Sequence, residues 1–306
     1  MYTSFTPSET LFNNSGPFYH LHTAPIEDEV VFRNAEEYII ATNLIAITIT
    51  QTKCILLAYA IMSNHLHFIL EGTETECLLF YELLKNSLKR YFTRHGRLNI
   101  VERMTPGPTI INNLKQLRDE IVYVIRNPFV IRDDVNPLAY PWCTGYLYFN
   151  PFLDVSGTSA GKLTIREVRA FTSSRLVTNV DSRILVKDGC ANPASFVDYK
   201  RTMQFFDNAR QFLMNVYKNV EAQVEVTKRY GEVPHLNDEE MLSLSLKMCR
   251  EMYKVKYPRE LDYLKQKQLA VILKNDYGGS NAQIARCTNL PLSEVDKLFP
   301  LATRNK

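Results

Sequence analysis

Residues 58–70 read AYAIMSNHLHFIL. Two histidines, His65 and His67, stand two positions apart in a run that is otherwise apolar. The wider stretch 54–70 is rich in apolar, aromatic and β-branched residues and predicts a strand, as does 17–24, PFYHLHTA. Side chains alternate along a strand, so His65 and His67 point one way and Leu66 the other. Two imidazoles at that spacing can aim at one divalent cation, with Ile61, Phe68, Ile69 and Leu70 as the rigid support. The same spacing recurs at His20 and His22, so the pattern alone does not choose between its two copies. For either copy the plainer reading is a pair of strand histidines with ordinary hydrogen bonds.

Helices are predicted around these strands. RNAEEYIIATNLIAIT (33–48) has helical spacing after a cap at Asn34, residues 75–95 form an amphipathic helix stopping at Gly96, and 113–127 form another. Strands interleaved with helices predict an α+β domain, an antiparallel sheet flanked by helices. After YPWCTGYLYFNP, the Gly-, Ser- and Thr-rich DVSGTSAGKLTI (154–165) reads as a linker. Residues 154–252 then read as mostly helical, including FFDNARQFLMNVYKNVEAQVEV (205–226), and a third segment follows YPRE (257–260). The expected division is 1–153, 154–252 and 253–306.

The chain has 306 residues, 45% apolar and 23% charged, ordinary values for a globular protein. No basic stretch followed by an apolar one opens the sequence, and no apolar run approaches the roughly 20 residues of a membrane span. Six scattered cysteines without a C-x-x-C pair argue against a disulfide framework and a zinc ribbon, and for a reducing cytoplasm. The net charge of +3 is unevenly spread, residues 253–306 carrying ten Lys and Arg against five Asp and Glu.

At about 100° per residue, Leu114, Leu117, Ile121, Val124 and Ile125 share one face of the helix over 113–127. Gln116, Glu120, Tyr123 and Asn127 share the other. Tyr123 therefore lies off the core stripe, one turn from Asn127 and able to act with it.

Met62-Ser63-Asn64-His65-Leu66-His67 resembles the HUH strand of single-tyrosine transposases, and more closely that of the REP-associated tyrosine transposases. Ser63 stands where that family commonly has Pro, and Tyr19-His20 falls where its first strand often has Tyr-His. Tyr123-Val-Ile-Arg-Asn127-Pro128 resembles the family's Tyr-Ile-x-x-Asn-Pro signature, and Tyr140-Pro141-Trp142-Cys143 the Tyr-Pro-Trp-Ser that follows it. FVIRDDVN after Pro128 and MTPGPTI before the tyrosine helix depart from the family. The resemblance covers roughly residues 16–150. It implies an HUH nuclease domain with a ferredoxin- or RRM-like sheet. It further implies Tyr123 as nucleophile, His65, His67 and Asn127 as ligands of Mg²⁺ or Mn²⁺, and cleavage and strand transfer on single-stranded or hairpin DNA, with the site built within one chain as a monomer or weak dimer. Glu120 shares the face as a base or ligand, without support from a family motif.

Lys85, Lys89, Arg90 and Arg94, with Arg97 and Arg103 beyond, make a basic run able to follow a phosphate backbone. In the tail, KQKQLAVILKND, NAQIARCT and LSEVDKLF read as three helices resembling a helix-turn-helix, with Ile284, Leu290, Val295 and Leu298 in their shared core, Ala285 at the crossing, and Ser293, Glu294 and Lys297 exposed on the recognition helix over 292–299. DNA binding at both places implies association with the nucleoid. Two rivals remain: a non-catalytic DNA-binding regulator that keeps the HUH fold as a clamp, and a metal-dependent hydrolase using both histidine pairs.

Overall fold

A computed structural model describes residues 6–23, 26, 30–131, 136–175, 177–217 and 238–300. The chain divides into two compact units, 1–216 and 217–306. The first is built on a four-stranded antiparallel sheet made of β1 (Phe18–Thr23), β2 (Ile55–Ile61), β3 (Leu66–Glu71) and β4 (Pro106–Ile111), in the order β2-β3-β1-β4. A short helix, α1 (Pro7–Asn13), precedes β1. Helix α2 (Ala35–Thr50) joins β1 to β2, α3 (Glu74–Arg94) joins β3 to β4, and α4 (Leu114–Ile131) follows. The β-α-β-β-α-β order with this strand arrangement is the ferredoxin-like connection.

The run over 54–70 is two strands rather than one. Ile61 pairs with Leu66, and the Met62 N–H donates to the His65 carbonyl at 2.9 Å, so Ser63-Asn64 turns a tight hairpin. Both strands are buried on both faces, which removes the polar alternation that would have marked the break.

Two cores lie on the two faces of this sheet. Tyr19, Leu21, Leu66, Phe68 and Leu70 pack with α2 and with Phe80, Leu84, Leu88 and Phe92 of α3. Phe18, Ala58, Ala60, Ile69 and Ile111 pack with Leu117, Ile121, Val124 and Ile125 of α4. Helix α2 begins at Asn34, whose side chain accepts from the Glu37 N–H at 3.0 Å, and α3 at Thr73 in a capping box with Glu76. Helix α4 runs past 127 through Pro128. The proline has no N–H for the Val124 carbonyl, and the Cys143 thiol lies 3.8 Å from that oxygen.

Residues 154–216 are part of this unit. The segment read as a linker forms one edge of a small sheet, β5 (Thr158–Ser159), β6 (Leu185–Lys187) and β7 (Cys190–Ala191), with α5 (Ile165–Thr172) beside it. The region is therefore mixed rather than mostly helical. Asn43 of α2, fully buried, anchors it: its Nδ2 donates to the carbonyls of Phe171 and Gly189, each at 2.9 Å, and its Oδ1 accepts from the Ala191 N–H at 2.7 Å. Helices α6 (Tyr199–Gln204) and α7 (Ala209–Val216) follow, and Phe205, Phe206, Phe212 and Val216 join the core under α4. Register slips at a bulge between Leu56 and Ala58, and the Leu57 carbonyl accepts from Tyr148 Oη (2.6 Å) and Thr202 Oγ1 (3.0 Å) instead. Most of 217–237, including the rest of the helix expected over 205–226, lies outside the described residues.

The second unit contains α8 (Asp238–Met252), α9 (Tyr263–Asn275), α10 (Asn281–Thr288) and α11 (Leu292–Leu298). Met241, Leu269, Leu273, Ile284, Leu290 and Val295 form its core, with Leu298 and Ala285 half-buried against it. Ser280 opens α10 in a capping box with Gln283, and Asn289 closes it in the left-handed conformation.

Candidate active site

Alternation along β1 puts His20 and His22 on the face that α4 covers. The antiparallel register sets His22 directly opposite His67 and His20 opposite Ile69. Four of the six histidines therefore meet on one face, with His65 at the end of the 62–65 turn, its ring centroid 4.8 Å from that of His67. The apolar stripe of α4 seats the helix on the sheet. Glu120, Tyr123 and Asn127 then come down onto the histidines rather than facing solvent.

The contacts form a connected chain. Glu120 Oε2 lies 2.8 Å from His20 Nδ1, and His20 Nε2 lies 3.0 Å from His67 Nδ1. His67 Nε2 lies 3.4 Å from the Tyr123 hydroxyl and 3.1 Å from Asn127 Nδ2. Asn127 Nδ2 also donates to the Tyr123 hydroxyl, and the Asn127 side chain reaches His65 as well. His65 Nδ1 lies 2.8 Å from Asn64 Oδ1, and Asn64 Nδ2 donates to the Ile26 carbonyl at 2.9 Å. Nδ1 of His22 is buried without a hydrogen-bond partner. Its ring lies against Gly107, where a Cβ would come within 3.2 Å of Cε1 and Nε2.

Burial disfavours charge on these rings. It pushes His65 down to about 4, His67 well below its ordinary value, and His22 down as well. Those three imidazoles are therefore neutral near pH 7, the form that ligates a metal.

His65, His67, Tyr123 and Asn127 are thus brought together, and Glu120 joins them through His20. The basic residues are not. Lys85, Lys89, Arg90 and Arg94 lie on α3, which covers the opposite face of the sheet. Lys89 pairs with Glu102, Arg90 donates to Ser87 Oγ at 3.0 Å, and Arg94 donates to the Arg90 carbonyl at 3.1 Å. Arg97 is tied to Glu37 at 3.1 Å. Ser293 and Lys297 are exposed on α11 of the second unit, where Lys297 pairs with Glu294 at 2.8 Å. Sequence reasoning did not foresee the parts of His22, Asn64 and Gly107. The repeat of H-L-H at 20–22 was the one available signal; nothing marked Asn64 as the partner of His65.

The fold and site together define a mixed α+β protein whose four-stranded antiparallel sheet carries a cluster of histidines under a tyrosine- and asparagine-bearing helix. No family model matches the chain, and no curated protein matches it. Among solved structures it is similar to that of a REP-associated tyrosine transposase bound to a REP hairpin, at 14% identity and a TM-score of 0.35, over 49% of this chain and 93% of that one.

Proposed function

We propose that this chain is a metal-dependent single-stranded DNA endonuclease and strand transferase that acts at hairpin elements through a 5′-phosphotyrosine intermediate. The observation that carries the reading is the Tyr123 hydroxyl lying 3.4 Å from His67 Nε2, with Asn127 one helical turn away and within hydrogen-bond reach of both. In the reaction the phenol oxygen of Tyr123 bonds to the scissile phosphorus and the 3′-oxygen leaves as a hydroxyl. The stored phosphotyrosine bond is then passed to another strand's 3′-hydroxyl, which frees the phenol.

The donor set suits Mg²⁺ or Mn²⁺. His65 and His67 each engage Nδ1 with a neighbour, as ligating histidines do, and Nε2 of His67 faces Tyr123 and Asn127; rotation of the Asn127 amide would present an oxygen. Among the described residues no three or more His, Cys, Asp and Glu side chains form a ready cage, and only two members of the proposed set, His65 and His67, are of those residue types. A cation held there would polarise the scissile phosphate and offset the charge developing on it. In this reading α9 to α11 act as a helix-turn-helix that adds duplex affinity through Ser293 and Lys297, and the α3 stripe holds the flanking backbone. In this reading the site is assembled within one chain.

The test is a denaturing gel after incubation with labelled hairpin DNA and Mn²⁺. The wild-type protein forms a covalent adduct, and Tyr123→Phe, still folded, forms none. An adduct persisting in Tyr123→Phe would remove the nucleophile assignment. Tight metal-independent binding without any adduct would favour the regulator.

A further inference from the structure

We infer that Glu120 and His20 are positioning residues that act through His67, fixing which of its ring nitrogens carries the hydrogen and turning the other towards Tyr123 and Asn127. An ionised carboxylate only accepts, so His20 Nδ1, 2.8 Å from Glu120 Oε2, carries a hydrogen. His20 with its single hydrogen on Nδ1 has a lone pair on Nε2, and His67 Nδ1, 3.0 Å away, is placed to donate to it. That leaves the His67 lone pair on Nε2.

The other end of the chain gives the same answer. Asn127 Nδ2 lies 3.1 Å from His67 Nε2, and an amide nitrogen donates, so Nε2 accepts. The opposite assignment, a cationic His20 donating to His67 Nδ1, would set two donors against each other at Nε2 with the Asn127 amide nitrogen turned to it as it is here. His20 and His67 are both buried, and in a low-dielectric setting one consistent set of donors and acceptors is strongly favoured over a mixed one.

The purpose of the arrangement rests on the nuclease reading. A lone pair on Nε2 can face a cation or the phenol proton, and an N–H there can do neither. The arrangement itself rests on geometry alone. It also gives the first H-L-H a role: His20 supports the second pair without being a ligand.

The experiment is long-range ¹H–¹⁵N spectroscopy of metal-free protein labelled at histidine, with the His67 signals assigned by His67→Gln. The expected result is an Nδ1–H tautomer for His67 in the wild type. That tautomer is lost or mixed in Glu120→Ala and is retained in Glu120→Gln, whose side-chain carbonyl still accepts from His20. Mn²⁺ titration followed by electron paramagnetic resonance should show binding weakened about 10- to 100-fold in Glu120→Ala and largely restored in Glu120→Gln. An Nε2–H tautomer in the wild type overturns the inference, as does a tautomer unchanged in Glu120→Ala. The wild-type spectrum alone decides the tautomer if Glu120→Ala fails to fold. An Nδ1–H tautomer that depends on Glu120, in a protein that forms no adduct, leaves the inference standing and removes the nuclease reading. An Nε2–H tautomer with a Tyr123-dependent adduct does the reverse.

Discussion

Replacing Arg97 by alanine should unsettle the turn that carries His65, although Arg97 touches no residue of the site. Its guanidinium holds four acceptors: Nη1 donates to the Val31 carbonyl at 2.8 Å and to the two Glu37 oxygens at 3.1 and 3.2 Å, and Nη2 to the Val30 carbonyl at 2.6 Å. The guanidinium also stacks 4.7 Å from the centre of the Phe92 ring. The segment it grips donates in turn to the hairpin, the N–H groups of Val31 and Phe32 meeting the Ser63 carbonyl at 2.7 and 2.9 Å. Glu37 and Arg97 are about a tenth exposed, at 10% and 11%, so the substitution strands a nearly buried carboxylate. Breaking such a pair costs about 3–5 kcal/mol. At roughly 2–4 °C per kcal/mol for a unit of this size, the melting temperature should fall by about 10 °C. Urea unfolding of Arg97→Ala, Glu37→Ala and the double variant provides the measurement. The double variant should be more stable than the sum of the single losses predicts, by about 0.5–3 kcal/mol, because removing both partners strands neither. A loss under about 1 kcal/mol in Arg97→Ala, or strictly additive losses, would refute the reasoning.

Three further outcomes follow from the site and its surroundings. Chelation should abolish adduct formation and added Mn²⁺ restore it, while His67→Ala should bind Mn²⁺ at least about tenfold more weakly by calorimetry; adduct formation undiminished in chelator would remove the metal from the reaction. Reversing Lys85, Lys89 and Arg90 to glutamate should weaken hairpin binding and flatten its salt dependence by about 0.7–0.9 per lost phosphate contact, measured by fluorescence anisotropy across a salt series. Cleavage at saturating DNA should be unchanged, because α3 lies across the sheet from Tyr123, and an equal loss at saturation would contradict that separation. Ile284→Ala in the fully buried centre of the second unit should cost about 2–5 kcal/mol in urea unfolding, and a change near zero would mean that this helix does not pack as described.

Much of this was readable from local pattern. Leu117, Ile121, Val124 and Ile125 of the α4 stripe are buried as their spacing predicts, because helical periodicity is a property of neighbouring residues. Asn34 caps α2, and Gly96 follows α3 with φ of 72°. What the pattern could not supply was non-local. That His22 faces His67 depends on the register of strands more than forty residues apart, which leaves no trace within either strand. The hairpin inside 54–70 was hidden because both strands are buried on both faces. The segment 154–165 has the composition of a linker, yet Gly157, at φ of 157°, sits where an added Cβ would come within 3.0 Å of Leu185 Cβ, a placement chosen by tertiary contacts. Glu120 was readable as sharing a face with Tyr123, but its contact with His20 required β1 to be in place.

The strict alternation along β1 ties two decisions together. Phe18, His20 and His22 point to one side, and Tyr19 and Leu21 are buried on the other. Sliding β1 by a single residue would send the histidines into the apolar layer beneath α2 and α3, and Tyr19 and Leu21 into their place under α4. A one-residue slip cannot keep the core and spoil only the chemistry. A chain that folds with this strand one residue out of step forfeits both at once, so burial of Tyr19 and Leu21 proofreads the face on which the histidines lie.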